Sequence, residues 1–269
     1  MLFWPGTDRK ALAPKARSGM LATDRAHFWG RNAPTLTDPG QNEEILSAMA
    51  NPYSVTQSAQ SVLSTNKVLK NTFLLLSATL GFSAVTATLS LALQMPSWVY
   101  LVSVIGAMVL GIFVLPKAAQ SAKGVGVIFL ITGMLGFGLG SILSMYLALP
   151  NGGQIIATAF AGTALIFLGL SGYALTAKTD FSFMGGFLFA GMMVVVVAMI
   201  ANIFLSMPAL SLAISGAIIL LMSGFILFDV SRIKSGAETN YIMATYGIYL
   251  SIFNIFISLL QILGIMGDD

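Results

Sequence analysis

The chain has 269 residues, of which 57% are hydrophobic and only 9% are charged, and its formal net charge is +3. Soluble globular domains carry roughly 25% charged residues, so this composition excludes that class and predicts an integral membrane protein. The absence of cysteine excludes disulfides, thiol catalysis and cysteine-bound metals.

Residues 1–66 are rich in Pro, Gly, Ser, Thr, Asn and charge, and they contain five prolines. Prolines at these intervals prevent a long helix, so we predict a polar, largely disordered cytoplasmic tail over residues 1–66 and a membrane domain over residues 67–269. Two other hypotheses stay open. In the first, the tail is a regulatory or partner-binding arm. In the second, residues 1–48 belong to an overlong gene model, because Met49 is a natural start site a short distance before the first helix.

Seven apolar runs follow the tail, and each is near the ~20 residues that a helix needs to cross a bilayer. The sequence therefore predicts an all-α fold, a bundle of seven transmembrane helices in which the seventh helix is packed inside the bundle. The predicted spans are residues 72–94, 98–115, 125–149, 154–175, 183–206, 209–229 and 241–266.

The loops between these runs alternate in charge. The loops after the first, third and fifth runs carry no charge, whereas residues 116–123, 176–180 and 231–238 carry every interhelical Lys and Arg. With seven spans all basic loops lie on one face, which predicts a cytoplasmic N-terminus and a periplasmic C-terminus in the inner membrane. The basic residues are therefore orientation signals, and no nucleic-acid partner is expected.

Few residues in the apolar region offer catalytic chemistry. The one histidine, His27, lies in the tail, and Asp180 and Asp229 are the only acids between residues 45 and 237. Neither a Ser–His pair nor a paired carboxylate can form within the spans, so we expect no enzyme activity, no catalytic residue and no cofactor or metal site.

Small residues at four-residue spacing occur in the third run, at Gly136, Gly140 and Ser144, and in the first, at Ser77 and Gly81. Hydrocarbon gives little hydrophobic drive between helices, so close backbone approach at small residues supplies the packing. Both sets predict close helix contacts.

A stripe of small and polar residues marks one face of the seventh run, because its members are spaced by three or four residues. The members are Ala244, Gly247, Ser251, Asn254, Ser258 and Gln261. Hydrocarbon cannot satisfy Asn or Gln, so this face must contact protein or a wetted cavity. Interhelical hydrogen bonding is the favoured interpretation, and the wall of a polar pathway is the alternative.

Asp229 ends the predicted sixth span, three residues before Arg232. An interfacial ion pair between the two at i,i+3 is one interpretation. The other is an inward-facing carboxylate, which at membrane depth costs ~2.5–3.5 kcal/mol when ionised and favours a partner or protonation.

Three strings together resemble the Bax inhibitor family: GLGSILSMY at 138–146, LFDVSRI at 227–233 and IYLSIFNIF at 248–256. Residues 64–73 and 236–242 are most similar to its bacterial branch, the modulators of FtsH protease. The resemblance implies an inner-membrane protein that binds the membrane-anchored protease FtsH, restrains degradation of membrane proteins and presents its N-terminal segment to the protease.

Other members of the family are pH-sensitive calcium leak channels that use two aspartates, one in each of the last two spans. Asp229 matches the first aspartate, but Ser251 occupies the second position. The resemblance therefore implies a weaker candidate cluster of Asp229, Ser251 and Asn254, linked to pH or an ion, and an ion leak with calcium as the alternative function.

Overall fold

An apolar run crosses a bilayer only if its backbone polar groups bond within the run, and an α-helix achieves this. The computed structural model describes the backbone of residues 52–266 and the side chains from residue 64 onward. These residues form helices, turns and no strand. The helices are α1 (Pro52–Ala92), α2 (Trp98–Ala118), α3 (Lys123–Leu147), α4 (Gly152–Thr176), α5 (Gly185–Leu205, after a 3₁₀ turn at Phe181–Met184), α6 (Pro208–Ser235) and α7 (Tyr241–Met266).

All seven helices are long and apolar enough to cross a membrane, which confirms the predicted all-α, seven-span fold. The chain divides into residues 1–56 and residues 57–269, and the bundle belongs to the second unit. Within the predicted tail, residues 52–66 are the start of α1, whereas the hypotheses on residues 1–48 lie outside the described residues.

Two boundaries differ clearly from the prediction: α1 begins at Pro52 rather than at residue 72, and α6 ends at Ser235 rather than at residue 229. Gly236 ends the helix by adopting φ +77°, a left-handed conformation that glycine tolerates without steric cost. Asp229 consequently lies six residues inside the helix, about 9 Å from its end at 1.5 Å per residue.

The bundle is organised around α3 and α7. Half of the α3 span and 44% of the α7 span are buried, against 11% for the span that contains α5. Tyr249, Ile248 and Ile255 of α7 are almost completely inaccessible. The prediction that the seventh helix packs inside the bundle is therefore correct, and α5 lies at the periphery.

Glycines let α3 lie directly on α1. A Cβ on Gly136 would be 2.4 Å from the Ser83 carbonyl oxygen, and one on Gly140 would be 2.3 Å from the Ala87 carbonyl oxygen. The predicted close contact of the third helix is thus confirmed. The prediction for Gly81 is wrong, because no atom lies within 4 Å of its Cβ position and its face points outward.

A π-helical turn interrupts α2 at Leu110–Val114. Pro116 lies two residues after this turn, and proline has no N–H to give to the carbonyl four residues earlier, so the local hydrogen-bond ladder must change. Gly111 within this turn lies against the Tyr246 hydroxyl of α7, where a side chain would overlap the ring. Gly111 therefore lies within the distorted turn of α2 and also provides the space for the contact of α2 with α7.

We expect Gly140→Ala to lower the stability of the bundle by about 1–3 kcal/mol, because a methyl group there overlaps the α1 backbone. Gly172→Ala on α4 is the matched control, since nothing lies within 4 Å of its Cβ position. Thermal unfolding of both variants in the same detergent measures the difference. Equal melting temperatures would show that α1 and α3 do not depend on this contact.

Candidate functional site

The α6–α7 hairpin contains every residue of the predicted site. Its connection is short and internally bonded: the Glu238 amide donates to the Arg232 carbonyl at 3.0 Å, and the Asn240 side chain accepts from the amides of Ile242 and Met243 at the start of α7. An asparagine in this position satisfies the free N–H groups of the first helical turn. These hydrogen bonds thereby fix the direction in which α7 runs back along α6.

The polar stripe of α7 faces α6 at both of its ends. Near the start of α7, the Asp229 carboxylate lies against Gly247, with Oδ2 2.7 Å from the position that a Cβ would occupy. Near the end, Gln261 accepts from Ser215 at 2.8 Å and donates to Ser211 at 2.6 Å. The contacts are 14 residues apart on each helix, from 215 to 229 and from 247 to 261, which is nearly four turns and about 21 Å.

Between these contacts, Ser251 and Asn254 form hydrogen bonds within α7. The Ser251 hydroxyl donates to the Gly247 carbonyl at 3.1 Å, and the Asn254 side-chain amide donates to the Leu250 carbonyl at 2.8 Å. The structure therefore places Asp229, Ser251 and Asn254 on the same helix pair, but it shows no hydrogen bond that joins the carboxylate to either of the other two.

Asp229 is partly buried, and among the described residues no hydrogen bond or ion pair reaches its carboxylate. Arg232 Nη2 instead lies 3.4 Å from Glu238 Oε2, and its guanidinium lies 5.3 Å from the centre of the Phe228 ring. The carboxylate lies against the backbone of α7 at Gly247. A glycine at this point in the stripe is what leaves room for the acid.

Asp180 begins the 3₁₀ turn before α5 and joins it to the end of α6. Its Oδ1 accepts from the Ser182 amide at 2.9 Å, from the Ser182 hydroxyl at 2.6 Å and from the Ser231 hydroxyl at 2.8 Å. The hydrogen bonds from Ser182 and then Ser231 lower the pKa of Asp180, and nearby Lys234 adds to the effect. The Asp180–Ser182 spacing is a helix-capping signal, but its contact with Ser231 spans 51 residues and has no local signal.

Two further contacts tie helix ends to the hairpin. The Lys234 ammonium donates to the carbonyls of Ala174 and Ala177 at the end of α4, where a cation also complements the helix dipole. The Asn240 side chain donates to the Ala119 carbonyl at the end of α2. We call residues 117–123, 177–182 and 231–240 the charged end, and its contacts hold the ends of α2, α4 and α5 to the hairpin.

A second polar group, buried between α1, α3 and α7, was not predicted. The hydroxyls of Tyr249 and Ser83 are hydrogen-bonded, and Ser83 donates to the Thr132 carbonyl at 2.6 Å. All three residues are buried. A signal existed in the first run, where Thr72, Thr79, Ser83 and Ser90 recur at spacings of seven, four and seven and form one buried face.

We expect the charged end to respond to acid through Asp180. Because its pKa is lowered in the folded protein, its contribution is present above the ordinary value of 3.8 and is lost as the pH falls below that value. Melting curves in detergent between pH 6 and pH 3 should show a smaller loss for Asp180→Asn than for the wild type. Identical pH profiles for the two proteins would contradict this role.

Comparisons with known proteins agree with this architecture. A family model described as inhibitor of apoptosis-promoting Bax1 matches residues 65–268. The modulator of FtsH protease YccA of Escherichia coli strain K12 is 51% identical over 209 residues, which cover 78% of this chain and 94% of that protein. The inner membrane protein YccA of Escherichia coli O6:H1 matches to the same extent.

A protein of Vibrio cholerae serotype O1, named only as a membrane protein, is 49% identical over 217 residues, which cover 81% of this chain and 97% of that relative. The resemblance seen in the three strings of spans three, six and seven is therefore confirmed. Since the family model covers nearly all of the seven-span region and these relatives match along almost their whole length, the chain belongs to the Bax inhibitor family.

Proposed function

We propose that this protein is a regulatory partner of an FtsH-type membrane protease and that it restrains the degradation of membrane proteins. The observation that carries the proposal is the 51% identity to the modulator of FtsH protease YccA, which extends over 94% of that relative. An identity of this extent includes the spans, the charged end and the hairpin together. The role is regulatory rather than catalytic, in line with the relative's name.

We place the charged end in the cytoplasm of a cell with an inner membrane. Lys67 and Lys70 are exposed near the start of the first span, and Lys117, Lys123 and Lys178 are exposed in the loops of the charged end. Positive residues flanking short loops are retained on the cytoplasmic side. This orientation puts the N-terminal region beside the cytoplasmic part of a membrane-anchored protease and the C-terminus in the periplasm.

In this proposal the N-terminal region is the part that the protease engages, and the bundle anchors it in the membrane. The ties between the charged end and α2, α4, α5 and the hairpin support the anchoring role, since they resist separation of the helix ends. A protease that pulls on a chain end is slowed when that end leads directly into such a bundle.

Deleting residues 1–51 should abolish restraint of the protease while the seven helices still insert, because α1 begins at Pro52. The measurements are the half-life of a membrane substrate of FtsH and co-purification of the protease in mild detergent. The matched control replaces residues 1–51 with a Gly/Ser segment of equal length, which separates the need for specific residues from the need for an accessible end. An unchanged half-life after deletion would exclude the N-terminal region from the mechanism.

A second candidate function is an ion leak past Asp229. The specific observation is a carboxylate inside a membrane span that has no hydrogen bond or ion pair among the described residues, a situation that in membrane proteins often marks an ion or proton pathway. The polar stripe of α7 continues away from this position toward Gln261. Calcium is the ion to test, because the resemblance implies it.

Calcium flux into liposomes that contain the purified protein separates the two candidates. If Asp229 controls a leak, Asp229→Asn should change the flux, whereas Asp180→Asn, a matched change outside the spans, should leave it unaltered. No flux in the wild type at acidic and neutral pH, or equal effects of both substitutions, would remove the channel. Restraint of the protease, tested by deleting residues 1–51, would then be the one remaining candidate function.

A further inference from the structure

An apolar crevice between α1, α2 and α3 has no role in the function proposed above. Its volume is about 770 Å³, within the range of pockets that hold small molecules. Its lining extends from the turn between α1 and α2, at the end of the bundle opposite the charged end, to Phe129 and Leu130 in the first half of α3. The lining residues are Phe82, Thr86, Met95, Trp98, Val99, Val102, Ser103, Phe129, Leu130, Gly133, Met134 and Phe137.

The crevice opens sideways, toward the surface that the bilayer covers. Val102 and Leu130 at its margin are 55% and 53% exposed, and Trp98 is 65% exposed. Deeper in, Phe82 and Phe129 meet edge to face at 5.5 Å, and Gly133 leaves space that a side chain would take from the Phe82 ring. A concave apolar surface of this size, open to hydrocarbon, is shaped to hold an extended acyl chain.

One polar atom in the crevice lacks a partner. Ser103 is only 6% exposed, and its hydroxyl makes no hydrogen bond among the described residues. Its Cβ lies 2.7 Å from the Cβ position of Gly138 on α3, so the side chain is held close to that helix. Thr86, the other hydroxyl in the lining, already donates to the Ser83 carbonyl at 3.0 Å. A hydroxyl that faces an apolar crevice without a hydrogen-bond partner costs free energy, and an acceptor on a bound molecule would remove that cost.

The position of Ser103 identifies the acceptor. Trp98 begins α2, and tryptophan side chains favour the level of the lipid headgroups. Ser103 lies five residues further along α2, about 7.5 Å deeper at 1.5 Å per residue. The ester carbonyls of a glycerophospholipid lie just below the headgroup, where they meet the acyl chains. An ester oxygen at Ser103 would place the attached chain along the Phe82–Phe129 wall.

We propose that this crevice binds one glycerophospholipid, with an acyl chain between α1, α2 and α3 and an ester carbonyl that accepts a hydrogen bond from Ser103. The site holds a resident lipid that exchanges more slowly than the lipids around the convex faces of the bundle. This inference depends only on the crevice and does not require the protease partner.

Native mass spectrometry of the full chain in mild detergent, after incubation with dioleoylphosphatidylethanolamine, tests the proposal. The wild type should retain one lipid. Val102→Trp should lose it, because the indole fills the crevice, whereas Val194→Trp on the exposed face of α5 should retain it as a control of the same size change. Retention by Val102→Trp at the wild-type level, or no adduct on the wild type, would overturn the proposal.

The hydrogen bond has its own pair of variants. Ser103→Ala should weaken lipid retention about 2- to 10-fold, as expected for one hydrogen bond. Thr86→Val is the matched control in the same crevice and should leave retention unchanged, because the Thr86 hydroxyl bonds within α1. Equal retention by Ser103→Ala and the wild type, or equal losses for both variants, would overturn the role of Ser103.

Fluorescence of Trp98 provides a readout that does not depend on mass. With Trp4 and Trp29 replaced by Phe, Trp98 is the single tryptophan of the chain. After unbound lipid is removed, a retained phosphatidylethanolamine with brominated acyl chains should quench Trp98, which lines the crevice. No quenching of Trp98 would contradict the site.

Discussion

Hydrocarbon supplies no hydrogen-bond partners, and this constraint accounts for the polar contacts of the bundle. Along α7, Ser251 and Asn254 bond to carbonyls of their own helix, and only Gln261 reaches across to α6. Tyr249 reaches in the other direction and meets the buried Ser83 of α1. The central helix is therefore fixed on two sides by few hydrogen bonds, each of which has no competing water.

Close packing supplies most of the attraction between the helices. Lipid chains are as apolar as the helices, so burial gives little hydrophobic drive for association. Backbone approaches backbone where α3 has Gly136 and Gly140, and a carboxylate fits between α6 and α7 only because Gly247 has no side chain. The crevice beside Gly133 is the opposite case, in which the helices diverge and leave space. One helix, α3, thus has both close backbone contacts with α1 and a wall of the proposed lipid site.

The two ends of the bundle differ in character. At the charged end, side chains of Asp180, Lys234 and Asn240 bond to other segments and hold the helix ends together. At the opposite end, the loops carry no charge and the crevice opens toward the bilayer. In the proposed function this division matters, because the charged end, which the proposal places in the cytoplasm beside the protease, is the one secured by polar contacts.

The sequence by itself determined the number of helices, their approximate limits, the segregation of charged loops and the stripe on α7, because these follow from hydropathy and helical spacing along a continuous segment. Only the tertiary structure decided which residues contact one another. Arg232 pairs with Glu238 rather than with Asp229, Ser231 bonds to Asp180, and Gly140 packs closely whereas Gly81 does not. Each of these outcomes depends on which helices become neighbours and at what register, and local spacing contains no information about either.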